Sequence, residues 1–127
     1  MNEIVRSFGS NAGKIWNILQ TDGPQVQTKI LKKTMLSEND FYGAVGWLAR
    51  ENKIRKHKRT FQIGETNLTD GIGIDAGKIW DILCSRSEMD VSTVARLANI
   101  EKCDCYSALG WLAREGKISA KTVVRKK

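Results

Sequence analysis

Apolar residues recur at helical spacing along most of the chain, interrupted by polar turns and, twice, by short runs with strand character. Ile15, Ile18 and Leu19 fall at i, i+3 and i+4, and Ile79, Ile82 and Leu83 repeat the pattern. Each trio predicts a first helix, with Asn11 or Asp75 as the N-cap whose side chain accepts from an orphan N–H. Polar turns follow, Thr21 to Pro24 in one place and Ser85 to Glu88 in the other. A short second helix is predicted from Ile30, Leu31 and Thr34, and again from Val94, Leu97 and Ala98, with Thr28 and Ser92 as caps. The third helix starts near Ser37, where Ser37-x-x-Asp40 has capping-box spacing, and its stripe is Phe41, Ala44, Val45 and Leu48. Cys105, Ala108, Leu109 and Leu112 take those places later in the chain, and Asn52 and Gly116 are the C-terminal stops. Lys53-Ile54-Arg55 and Phe61-Gln62-Ile63 then read as a hairpin, matched by Lys117-Ile118-Ser119 and Thr122-Val123-Val124.

The two halves are copies. NAGKIWNILQ at 11–20 answers DAGKIWDILC at 75–84, and YGAVGWLARENKI at 42–54 answers YSALGWLAREGKI at 106–118, both at an offset of 64 without a gap. Two repeats are too few to close a solenoid, so each copy is read as its own small domain. Three helices and a hairpin make a winged helix. The predicted fold is therefore mainly α with small β-hairpin wings: two tandem winged helix-turn-helix domains. Residues 1–64 form the first, 65–74 a polar, turn-rich linker, and 75–127 the second.

The AGKIW and GWLARE(G/N)KI signatures resemble a family of small prokaryotic winged helix-turn-helix proteins of unassigned function. Both copies carry both signatures, so the resemblance covers most of the chain. It implies the winged-helix fold and DNA binding; a winged helix also serves as a protein-contact module, and fold alone does not choose between them.

Charge sharpens that choice. The chain of 127 residues carries a formal charge of +7, and cationic side chains gain by releasing counterions from phosphates. The excess is uneven: residues 1–64 hold 11 Lys/Arg against 5 Asp/Glu, and residues 65–127 hold 10 against 9. The densest basic run, Arg55-Lys56-His57-Lys58-Arg59, sits where a wing projects and can reach phosphates beside a groove. Lys29, Lys32 and Lys33 on the second helix add to that face. Lys121, Arg125, Lys126 and Lys127 supply a basic tail to the second copy. The third helices are poorly suited to reading bases. Their leading residues, Ser37, Glu38, Asn39 and Asp40 in one copy and Glu101 and Asp104 in the other, include carboxylates and no Arg for guanine. Asn39 and Tyr42 are the best candidates for any base contact.

Other chemistry finds little support. A lone His57 within a basic run makes no catalytic triad, and AGKIW lacks the spacing of a phosphate loop. No enzyme activity and no cofactor are expected. Cys84, Cys103 and Cys105 make neither a disulfide framework nor a four-ligand metal site, so no metal is expected. Trp16, Trp47, Trp80 and Trp111 recur at the repeat offset and read as core or interface. Gly13, Gly46, Gly77 and Gly110 lie mid-helix, where each costs about 1 kcal/mol relative to Ala, which points to close helix approach. No apolar run matches a membrane span, and Met1 to Arg6 do not open a signal peptide, so a cytoplasmic, nucleoid location is expected. The sequence reading is a double-stranded DNA-binding protein, backbone-dominated with low or modest specificity, acting as a transcription regulator or nucleoid-associated protein. The rival is a protein-interaction adaptor whose acidic third helices contact a basic partner; besides DNA, a homodimer or protein partner engaged through the second copy is the further partner expected.

Overall fold

The computed structural model describes residues 3–86, 88–120 and 123–126. The first copy runs α1 (Glu3–Asp22), β1 (Gln25–Val26), α2 (Gln27–Thr34), α3 (Glu38–Arg50), β2 (Ile54–His57) and β3 (Thr60–Ile63). A π-helical turn, Thr69–Gly73, leads into the second copy: α4 (Ile74–Ser85), β4 (Glu88–Asp90), α5 (Val91–Ala98), α6 (Lys102–Arg114), β5 (Ile118–Ala120) and β6 (Val123–Lys126). Each copy closes a three-stranded antiparallel sheet, ordered β1-β3-β2 and β4-β6-β5. The hairpin strands pair as the sequence predicts, Ile54 with Ile63 and His57 with Thr60. The third strand of each sheet, β1 or β4, escaped the sequence reading because two or three residues are too few to display an alternation.

The core positions are equivalent in the two halves. Ile15 and Ile79, Leu19 and Leu83, and Leu48 and Leu112 are all buried. Phe41 and Phe61 meet edge to face at 5.3 Å in the first core. Ser37 caps α3 as expected, accepting from the Asp40 N–H at 3.1 Å. Asn52, at φ 61°, and Gly116, at φ 74°, end the third helices in the left-handed region.

Several expected helix ends are corrected. Asn11 is not a cap: α1 starts at Glu3, and Asn11 lies buried in its middle. Asp75 falls inside the first turn of α4, whose N-cap is Gly73. The second helices are preceded by Val26 and Asp90, not capped by Thr28 and Ser92. Tertiary packing explains the longer α1. Phe8 is wholly buried, and it belongs to the core of the second copy. Leu68 and Ile72, from the stretch read as a linker, pack reciprocally against the first core. Phe8 and Ile72 stand 64 apart, so the lead-in to each copy helps to close the other.

The copies meet where α3 crosses α6, about a local twofold. A Cβ at Gly46 would overlap the Ser107 carbonyl, and one at Gly110 would overlap the Gly43 carbonyl, the equivalent place. Arg50 Nε donates to Glu115 Oε2 at 2.9 Å, and Arg114 Nε donates to Glu51 Oε2 at 2.9 Å. Arg50 lies over the Trp111 ring and Arg114 over Trp47, each at 5.8 Å. This is the isologous geometry of a twofold dimer, made within one chain.

The mid-helix glycines therefore divide. Gly46 and Gly110 permit the crossing, but Gly13 and Gly77 have nothing within 4 Å of an added Cβ, so close approach does not account for them. Gly13→Ala and Gly77→Ala are each expected to stabilise the protein by about 0.5–1 kcal/mol, through helix propensity alone. Thermal unfolding checks this, and a lower melting temperature in both variants would contradict it.

Candidate nucleic-acid interface

The third helix of a winged helix is the one that enters a major groove. Here α3 is buried on two sides. Phe41, Ala44, Val45 and Leu48 face its own core, while Gly43 and Gly46 lie against α6, and Trp47 packs against both cores. Only its ends are open: Glu38 and Asn39 in the first turn are exposed, and so is Arg50 in the last, where it pairs with Glu115. Tyr42 is half-buried and donates its hydroxyl to Gln27 Oε1 at 3.3 Å. In the second copy, Gly110 and Trp111 of α6 are taken up in the same crossing.

The basic wing is free. Lys56, His57, Lys58 and Arg59 are exposed at the β2–β3 hairpin, and Lys58 sits at its tip with φ 57°. Thr60 Oγ1 donates to the His57 carbonyl at 2.9 Å and closes the turn. From the linker, Asn67 fastens the strand edge: the Lys56 N–H donates to Asn67 Oδ1 at 2.9 Å, and Asn67 Nδ2 donates to the Lys56 carbonyl at 2.6 Å. Arg55 differs from the others. It is half-buried at the root of the wing, and its Nε has no hydrogen-bond partner among the described residues. On α2, Lys29 and Lys32 are exposed, whereas Lys33 donates to Asp22 Oδ2 at 2.9 Å and to Gln25 Oε1 at 3.2 Å.

A groove of about 310 Å³ separates the wing from the start of α2, lined by Val26, Gln27, Thr28, Lys56, Arg59 and Phe61. Val26 provides no side-chain cap, so the positive end of α2 opens beside two wing cations. The second copy is built differently at this point. Asp90, the counterpart of Val26, caps α5 by accepting from the Thr93 N–H at 2.8 Å. Hydrogen bonding from the Thr93 hydroxyl first, and then from its backbone N–H, holds the Asp90 carboxyl below its usual pKa. An internal carboxylate thus occupies the helix end that the first copy leaves open to an outside anion. Ser119 and Ala120 stand at the root of the second wing, where the first has Arg55 and Lys56. The basic tail expected there lies partly outside the described residues: Lys121 and Lys127 do, and of Arg125 and Lys126 the structure describes only their backbone in β6.

The open end of α2 was missed in the sequence. The signal was present, because an apolar Val26 aligns with an acidic Asp90 across the repeat. Of the cysteines, Cys105 is buried, which pushes its thiol up to about 12. Among the described residues no group of three or more His, Cys, Asp or Glu could hold a metal ion. No helix of the described residues is long and apolar enough to cross a membrane.

The family model of a winged helix-turn-helix domain (DUF2582) matches the chain twice, over residues 1–63 and 65–126. No curated protein and no solved structure gives a match.

Proposed function

The chain belongs to this winged helix-turn-helix domain family, in tandem duplication, and on that premise we propose that it binds double-stranded DNA through the phosphate backbone. The first wing and the open end of α2 form the contact, with low or modest sequence specificity. The protein works without catalysis, in the cytoplasm on the nucleoid, as a transcription regulator or nucleoid-associated protein. The observation that carries this reading is the α3–α6 crossing. It engages the faces that would otherwise read bases, while the Lys56–Arg59 groove stays open. A backbone phosphate there meets two cations and the positive pole of a helix at once.

Titrating the full chain into random-sequence duplex over a range of salt tests the proposal. Binding is expected at low salt, with log affinity falling linearly against log salt and little preference between sequences. No binding at low salt would refute it and favour the protein-adaptor reading.

The contrast between Val26 and Asp90 provides a sharper test. Val26→Asp places a carboxylate where the phosphate is proposed to sit. It is expected to weaken duplex binding about tenfold, a loss of about 1.4 kcal/mol, through like-charge repulsion. The same change caps α2, a gain of about 1 kcal/mol that loss of the half-buried Val side chain partly offsets. Weaker binding without loss of folding stability is the expected signature. Unchanged affinity would remove α2 from the interface.

A further inference from the structure

A second cavity, of about 380 Å³, lies between the first copy, the linker and the second copy. Its size falls in the range of small-molecule sites, and junctions between domains are where such sites concentrate. The walls are apolar and aromatic: Tyr42, Val45, Phe61, Leu68 and Ile72. Asp75, from the first turn of α4, and Asp104, from the first turn of α6, also line it. Asp75 is half-buried and Asp104 exposed at the rim, where it accepts from Cys103 Sγ at 3.9 Å; among the described residues neither makes an ion pair, and the two repel each other. Burial first, and then the Asp104 charge, push the Asp75 carboxyl above its usual pKa, with Lys78 opposing. Lys56 lines the cavity too, with its ammonium over the Phe61 ring at 5.3 Å. An ammonium group already rests on this aromatic wall.

We propose that this cavity binds a small primary ammonium compound with an apolar or aromatic body. The ammonium sits between the Asp75 and Asp104 carboxylates, relieving their repulsion with charge-assisted hydrogen bonds. The body fills the space among Phe61, Leu68 and Ile72. A hard metal ion is a poor fit, since it requires about six or more oxygen ligands and gains nothing from apolar walls. Plain amines and amino acids share the ammonium and differ in the carboxylate, which Lys56 is placed to receive. The ammonium site at Asp75 and Asp104 uses none of the residues proposed to contact phosphate, of which Lys56 alone also lines the cavity.

The full chain is titrated with phenethylamine, L-phenylalanine and hydrocinnamate, followed by nuclear magnetic resonance. Saturable shifts at Phe61, Leu68 and Ile72 are expected with an ammonium compound and not with hydrocinnamate. Asp75→Asn and Asp104→Asn should each weaken that binding about tenfold, with melting temperatures preserved. If phenylalanine binds more tightly than phenethylamine, and Lys56→Gln abolishes the difference, the ligand is an amino acid. The opposite order assigns a plain amine. Absence of saturation with both ammonium compounds overturns the proposal. So does equal binding of hydrocinnamate, or binding that neither Asn variant weakens.

Discussion

Replacing Lys56 and Arg59 with Gln and Lys58 with Gly is expected to flatten the log–log salt dependence of duplex binding by about 1.8 units, at about 0.9 per phosphate contact, one shared by Lys56 and Arg59 and one held by Lys58. Arg55 is left in place because it is half-buried at the wing root, so its loss would disturb packing as well as charge. Gly is chosen at position 58 because Lys58 adopts φ 57°, a conformation that strains most L-residues by about 1 kcal/mol or more. Folding stability should change little. Taking the Lys56 ammonium away from the Phe61 ring costs about 0.5–1 kcal/mol at an exposed site. The affinity loss should be similar on every duplex sequence, because phosphates carry no base information. A salt slope that stays the same would show that the wing is a solvated turn.

Much of the fold was legible because duplication supplies an internal control. Two gapless blocks at one offset fixed the repeat, and the apolar stripes placed Ile15, Leu19, Leu48 and their counterparts in the core. The placement of the basic run on a hairpin was legible because it lies between two short segments of strand character. What escaped was decided between the copies. Ser7, Gly9 and Ser10 are weak helix formers, so the sequence reading began the first helix at Asn11. Phe8, closing the second core, extends that helix over them, and no local propensity records such a long-range contact. The glycines carry the same lesson. Gly13 and Gly46 look alike in sequence, yet one faces open space and the other a backbone carbonyl. The linker stretch seemed merely polar, but Leu68 and Ile72 within it cover the first core. Each half alone would leave such surface bare, so the contribution of each copy to DNA binding is better separated by substitutions in the full chain.

Gly46→Ala and Gly110→Ala are each expected to destabilise the protein by about 2 kcal/mol. A new methyl group here meets a carbonyl of the facing helix rather than a side chain that can turn away. Relief therefore requires the two helices to separate, which puts the cost at the upper end of the usual overpacking range, about 3 kcal/mol. Ala returns about 1 kcal/mol of helix propensity, which is too little to reverse the sign. The flanking pairs cannot hold the crossing alone. Arg50–Glu115 and Arg114–Glu51 are about half exposed on the arginine side, and pairs of that kind contribute about 0–1 kcal/mol each. For a chain of this size, the loss lowers the melting temperature by roughly 6–10 °C. The decisive comparison is with Gly13→Ala, the same chemical change at a mid-helix glycine with open space before it. Opposite shifts in the two variants would establish the α3–α6 crossing as the seam that holds both third helices away from DNA. A Gly46→Ala variant that melts as high as Gly13→Ala would show that the copies do not pack in this way, and would restore the third helices as candidates for reading a major groove.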